Sequence, residues 1–154
     1  MPDWISHILI GLIFAEIFNI RKKGLVVFGS LLPDFAVKVH LFGAFFHVSD
    51  KLAFVTQLYH SPIMGLIIPG LAAPFFEYDW KKTYLLIGSG FMLHLFADSF
   101  TRLYHDGILL YPLSYGYFSF GFLWPEQYWI VIIASLAVYV AIRLVKRKGH
   151  VSDA

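Results

Sequence analysis

The chain contains no cysteine. This excludes disulfides, thiolate nucleophiles and cysteine-bound zinc together, so any metal must be held by His, Asp or Glu. Charge is also scarce. Only 14% of the 154 residues are Asp, Glu, Lys or Arg, and the formal net charge is +2, too little for a nucleic-acid footprint. The basic residues cluster at the ends of apolar segments instead of spreading over a face. No glycine-rich phosphate loop, serine nucleophile elbow or HExxH helix occurs, which leaves acyl-enzyme chemistry with little support. There is no internal repeat, low-complexity tract or linker. The first apolar segment has no basic leader before it and no small-residue cleavage site after it, so it reads as a retained helix and not a signal peptide.

What fills the chain instead is apolar and aromatic: 58% hydrophobic residues, with 16 Phe, nine Tyr and four Trp. A soluble domain of this size could not hide so much apolar surface, whereas lipid and headgroups accept it. The expectation is one all-α domain over 1–154, a polytopic membrane helical bundle of about four to five hydrophobic segments, two of them broken by proline. Segment one, about Trp4 to Ile20, ends at Arg21, Lys22, Lys23 and a helix-stopping Gly24. Segment two, about Leu25 to His47, should kink or end near Leu32 because Pro33 follows. Segment three, about Leu52 to Phe76, holds Pro62, Pro69 and Pro74 and reads as discontinuous. Segment four runs from about Tyr84 to Phe100. Residues 102–127, rich in Gly, Pro and Tyr, read as an interfacial loop or hairpin. The segment at 128–148 is the plainest transmembrane helix, opened by Trp129 and closed by Arg143, Lys146, Arg147 and Lys148. Placing three basic clusters, Arg21 to Lys23, Lys81 with Lys82, and Arg143 to Lys148, on one side makes that side, and the C-terminus, cytoplasmic in a cell (inner) membrane.

Ionisable groups inside such segments cost at least a few kcal/mol each and face a partner, a cavity or an ion. Six stand out: His7, Glu16, Asp34, His60, His94 and Asp98. His94 and Asp98 are four apart in GFMLHLFADSFT, which places an imidazole and a carboxylate one helical turn apart on one face. That pairing suits a zinc or manganese site. Asp34 in GSLLPDF and His60 in YHSP both adjoin prolines, so each is expected at a helix break lining a cavity, with Ser61 as a possible N-cap. Counted from the basic clusters, His7, Asp34, His60, His94 and Asp98 fall at similar depth. His40, His47, Asp50, His105 and Asp106 read as solvated interfacial residues.

Taken in order, His7, LLPD ending at Asp34, HS at His60 and Ser61, HLFADSFT, and GILLYPLS through Tyr111 to Ser114 resemble a family of small membrane-bound, metal-dependent hydrolases. That family includes the bacterial inner-membrane proteins described as binding the LexA repressor and is distantly similar to zinc-dependent phospholipase C. The resemblance spans residues 6–114, a metal-site core within 1–114. It implies a divalent metal, zinc or alternatively manganese, with His7, Asp34, His60, His94 and Asp98 at ligand positions. Ala36 stands where the family commonly has a second acid, and Val55 and Thr56 where it commonly has histidine and arginine.

The resulting expectation is a hydrolase acting on a phosphoester of a membrane lipid or lipid-linked substrate, with Asp34, His60 and Asp98 in the chemistry. A carboxylate not spent on the metal would take a proton from water. One alternative is a small transporter or proton relay built on the buried His, Asp and Glu. Another is an inactive metal-binding interaction protein, motivated by Ala36 and Val55.

Overall fold

The computed structural model describes residues 4–45, 58–102, 111, 113 and 119–152. Among these residues five α-helices carry the fold: α1 (Trp4–Ile17), α2 (Lys23–Phe45), α3 (Pro62–Ala72), α4 (Trp80–Asp98) and α5 (Tyr128–Ser152). Among the described residues there is no strand. A single isolated bridge joins Thr101 to Leu123. Around it Phe120, Phe122 and Leu123 donate to the Ser99 and Phe100 carbonyls, tying the chain just past α4 to the approach to α5. Helix α2 packs between α1 and α4, α3 covers α4, and α5 lies along α1.

Several boundaries differ from the sequence expectation, each for a local reason. Helix α1 stops at Ile17, not at Gly24, because Asn19 takes the left-handed conformation (φ 52°). Asn19 and Ile20 then donate to the Glu16 and Ala15 carbonyls, a Schellman ending in which asparagine replaces the usual glycine. Gly24 falls in the first turn of α2. Pro33 does not end α2, which runs unbroken through it. The bond that proline cannot make is confined to the Gly29 carbonyl, and neighbouring elements support the turn. Asp34 accordingly sits within a helix and not at a break. Helix α3 does open at a break, with Pro62 in its first turn and Ser61 at the N-cap position. The Ser61 hydroxyl bonds backwards to the Leu58 carbonyl (2.6 Å) and makes no cap bond.

Among the described residues one helix is long and apolar enough to span a membrane, Pro125–Lys148, of 24 residues. Helices α1 and α3 are apolar but only 14 and 11 residues long. Of the expected polytopic helical bundle, the described residues show the all-helical fold and one span-length apolar helix. Helices α2 and α4 are long enough, but they carry Asp34, Lys38 and His40, and Lys81, Lys82, His94 and Asp98.

Beside an apolar core that includes Leu9, Val26, Ile87 and Phe91, the interior is unusually polar for a helical protein. Among the described residues, the buried set includes Ser6, His7, Ser30, Asp34, His60, Ser61, Thr83, His94, Asp98, Ser99 and Thr101. Phe35, Leu66, Leu71, Phe75, Leu85, Phe96, Ile133 and Val145 face outward.

Glu16 is also buried, but it belongs to a different place from the other five ionisable residues. Lys23 bonds its carboxylate, Arg143 Nη1 reaches it at 3.0 Å and Lys146 Nζ at 3.4 Å. Lys146 additionally bonds the Glu16 carbonyl and the Asn19 side chain. Nine residues separate Glu16 from His7 along α1, about 14 Å of helix. This network pins α5 to the end of α1, so Glu16→Gln is expected to lower stability by about 1–3 kcal/mol through weakened charge-assisted bonds. Unfolding in mixed detergent micelles measures the difference.

Candidate metal centre

The polar centre is assembled where α2 and α4 cross in backbone contact. A Cβ on Gly29 would overlap the Ile87 carbonyl oxygen, and one on Gly90 would overlap the Val26 carbonyl oxygen. Glycine at both positions lets the backbones of α2 and α4 touch, as small residues do between helices in lipid. One turn beyond Gly90, His94 faces α2, and its Nδ1 lies 2.7 Å from the Ser30 carbonyl oxygen. A carbonyl only accepts, so Nδ1 carries the proton and Nε2 is left with its lone pair. The Ser30 hydroxyl continues the framework, donating to the His7 carbonyl (3.1 Å) and the Val27 carbonyl (2.8 Å).

His94 Nε2 is the hub. Asp98 Oδ2 lies 3.1 Å from it and Asp34 Oδ1 3.9 Å. Asp98 Oδ1 is 3.4 Å from His7 Nε2, and Asp34 Oδ1 is 3.8 Å from His60 Nε2. The His7 ring stacks on His94 with centroids 3.8 Å apart, and the His60 ring is 5.4 Å away. Two sets of three therefore form, His7 with His94 and Asp98, and Asp34 with His60 and His94. Within each set the ligand atoms lie within 4.8 Å of one another. Four elements contribute: α1, α2, α4 and the break ahead of α3 that holds His60.

These separations suit a metal. With metal–nitrogen and metal–oxygen bonds of about 2.0–2.2 Å, the ligand atoms of a tetrahedral site stand roughly 3.4 Å apart. The electrostatics point the same way. A lone pair on His94 Nε2 faces carboxylate oxygens, acceptor against acceptor, a repulsion that a cation between them would relieve. Both ring nitrogens of His7, Asp34 Oδ2 and His94 Nε2 are buried without a hydrogen-bond partner among the described residues. Three imidazole nitrogens and two carboxylates form a donor set that a divalent ion satisfies, and these buried clusters could hold one.

Sequence reasoning named His7, Asp34, His60, His94 and Asp98, and the structure brings all five together. It separates Glu16 from them. It did not find the Ser30 carbonyl, a backbone atom with no side-chain signature. The nearest signal was GSLLPD, where small residues and a proline mark a backbone open to close approach. Ala36 lies on α2, while Val55, Thr56, His47, Asp50, His105 and Asp106 fall outside the described residues, as do Pro112 and Ser114 of the YPLS block. Compared with family models, curated proteins and solved structures, the chain matches none of them.

Proposed function

We propose that the chain is a membrane-embedded, metal-dependent hydrolase of a phosphoester in a lipid or lipid-linked substrate. The observation that carries this reading is the convergence of two further imidazoles, His7 and His60, and two carboxylates, Asp34 and Asp98, on the unprotonated nitrogen of His94. One nitrogen cannot serve two ions, so the arrangement favours a single metal drawing on five ligand positions. Zinc suits the nitrogen-rich set, and manganese is the alternative. A bound divalent ion supplies Lewis acidity toward a phosphoryl oxygen and makes water a better nucleophile.

The chain's own groups divide the remaining work. Ser30 fixes the tautomer and ring plane of His94. Asp34 is 8% exposed, against 1% for His7, His60, His94 and Asp98. It is therefore the carboxylate nearest any entering substrate and the one suited to accept a proton from attacking water. His60, beside Asp34, orients that carboxylate, and Asp98 neutralises charge from below. The outward Phe and Leu side chains and the polar interior support embedding in lipid, which makes a lipid phosphoester the accessible substrate class.

Elemental analysis of purified protein should find about one zinc or manganese per chain, as for a catalytic site with three or more protein ligands. Asp34→Asn should keep the ion and lower hydrolysis of a lipid-phosphoester panel by about 10²–10⁴-fold, the range of general-base loss. Metal-free wild-type protein that still hydrolyses the panel would sink the proposal.

A further inference from the structure

At the end of the bundle away from the polar centre, an open pocket of about 520 Å³ lies between the end of α1 and the last turns of α5. Glu16, Asn19, Arg143, Leu144, Lys146 and Arg147 line it. Glu16 is already bonded by Lys23, Arg143 and Lys146. Three cations therefore face the pocket against one carboxylate that is itself neutralised. Arg147 makes no hydrogen bond or ion pair among the described residues. Immediately below, the outward Leu144, Val140 and Leu136 continue the apolar surface of the span-length helix.

A cationic cup on top of an apolar groove matches one ligand chemistry, a phosphate diester carrying a net negative charge with acyl chains running down from it. We propose that this pocket binds the headgroup of an anionic phospholipid, Arg147 and Arg143 meeting the phosphate and Leu144 the start of an acyl chain. The site holds a resident lipid and not the hydrolysed one, because the pocket and the His94 centre occupy opposite ends of α1. Basic pockets between helices at the cytoplasmic headgroup level bind anionic lipid in this way. The same contact secures α5 against α1 through the cations that also hold Glu16. This inference uses α5 as a membrane helix but not the hydrolase reading, so metal content and lipid binding can fail separately.

Native mass spectrometry of the full chain from detergent, titrated with dioleoylphosphatidylglycerol, dioleoylphosphatidylcholine and glycerol phosphate, tests it. Phosphatidylglycerol should bind one per chain and raise the melting temperature, while phosphatidylcholine and glycerol phosphate should not. Arg147→Gln should weaken phosphatidylglycerol binding about fivefold, the loss expected for one basic residue at an anionic surface. Lys148→Gln, an equal charge change at a residue that does not line the pocket, should leave binding within twofold, and metal content should be unchanged in both variants. Equal binding of phosphatidylcholine would overturn the proposal by showing a merely apolar groove. Equal binding of glycerol phosphate would overturn it as a free-anion site, and equal weakening by Lys148→Gln would reduce it to diffuse charge.

Discussion

Replacing His94 with alanine is expected to abolish metal binding, with bound zinc or manganese falling from about one ion per chain to background in elemental analysis. His94 is the only residue common to both three-ligand sets, so its loss leaves neither complete. His60→Ala should behave differently. It dismantles the set around Asp34 but leaves His7, His94 and Asp98 within reach of one another, and three protein ligands are enough to hold a catalytic zinc. The ion should therefore survive His60→Ala with weakened affinity and reduced hydrolysis. His7→Ala should do the reverse, keeping Asp34, His60 and His94. If His94→Ala kept a stoichiometric ion while remaining helical by circular dichroism, the ring would not be the hub that its geometry describes.

The alternatives to the hydrolase reading are separated by other observations. A proton relay needs ionisable groups strung across the membrane, and Glu16 was counted among the buried groups that could form one. In the structure Glu16 is held by three cations in a separate network about 14 Å along α1 from His7. The remaining five groups form a cluster and not a chain, a shape that favours holding one ion over passing protons between faces. An inactive binding protein would keep the ion in wild type yet show no difference between wild type and Asp34→Asn across the lipid panel.

How far the sequence reached depended on what kind of physical signal each residue left. The His94–Asp98 pair was legible because both residues lie on one helix and the 3.6-residue period places them on one face. Physically, His7, Asp34 and His60 were legible as costly polar groups in apolar runs, with similar depth counted from the basic clusters, and the ordered family resemblance added them as ligand positions. What brings them together is the lateral packing of helices, and nothing in one helix's sequence states which face meets its neighbour. Proline was misleading in one place and informative in another. Pro62 opens α3 beside His60, whereas Pro33 is absorbed inside α2, since a helix packed on both sides tolerates one missing bond. The partners of Glu16 were out of reach for a different reason: Arg143 lies 127 residues away, and only the packing of α5 on α1 brings it there.

The helix crossing yields the second large expected effect. Gly90→Ala should destabilise the protein and weaken its metal binding together, although alanine is a better helix former than glycine by about 1 kcal/mol. The added methyl would overlap the Val26 carbonyl and stand 2.8 Å from the Ser30 backbone nitrogen. Both are backbone atoms that no side-chain rotation can clear. Overpacking of this kind costs about 1–3 kcal/mol, and more where backbones must separate. Separation here has a chemical consequence, because the Ser30 carbonyl and His94 Nδ1 stand at 2.7 Å only while α2 and α4 touch. Once they part, His94 loses the bond that fixes its tautomer, and loss of such a supporting bond weakens metal affinity by about 10–100-fold. Gly24→Ala is the matched control. Nothing lies within 4 Å of a Cβ placed there, and the residue sits in the first turn of α2, so stability should stay the same or rise by up to about 1 kcal/mol with metal content intact. Thermal unfolding in detergent with parallel metal analysis distinguishes the two. Equal behaviour of the two variants would mean that the close approach of α2 and α4 does not build the centre.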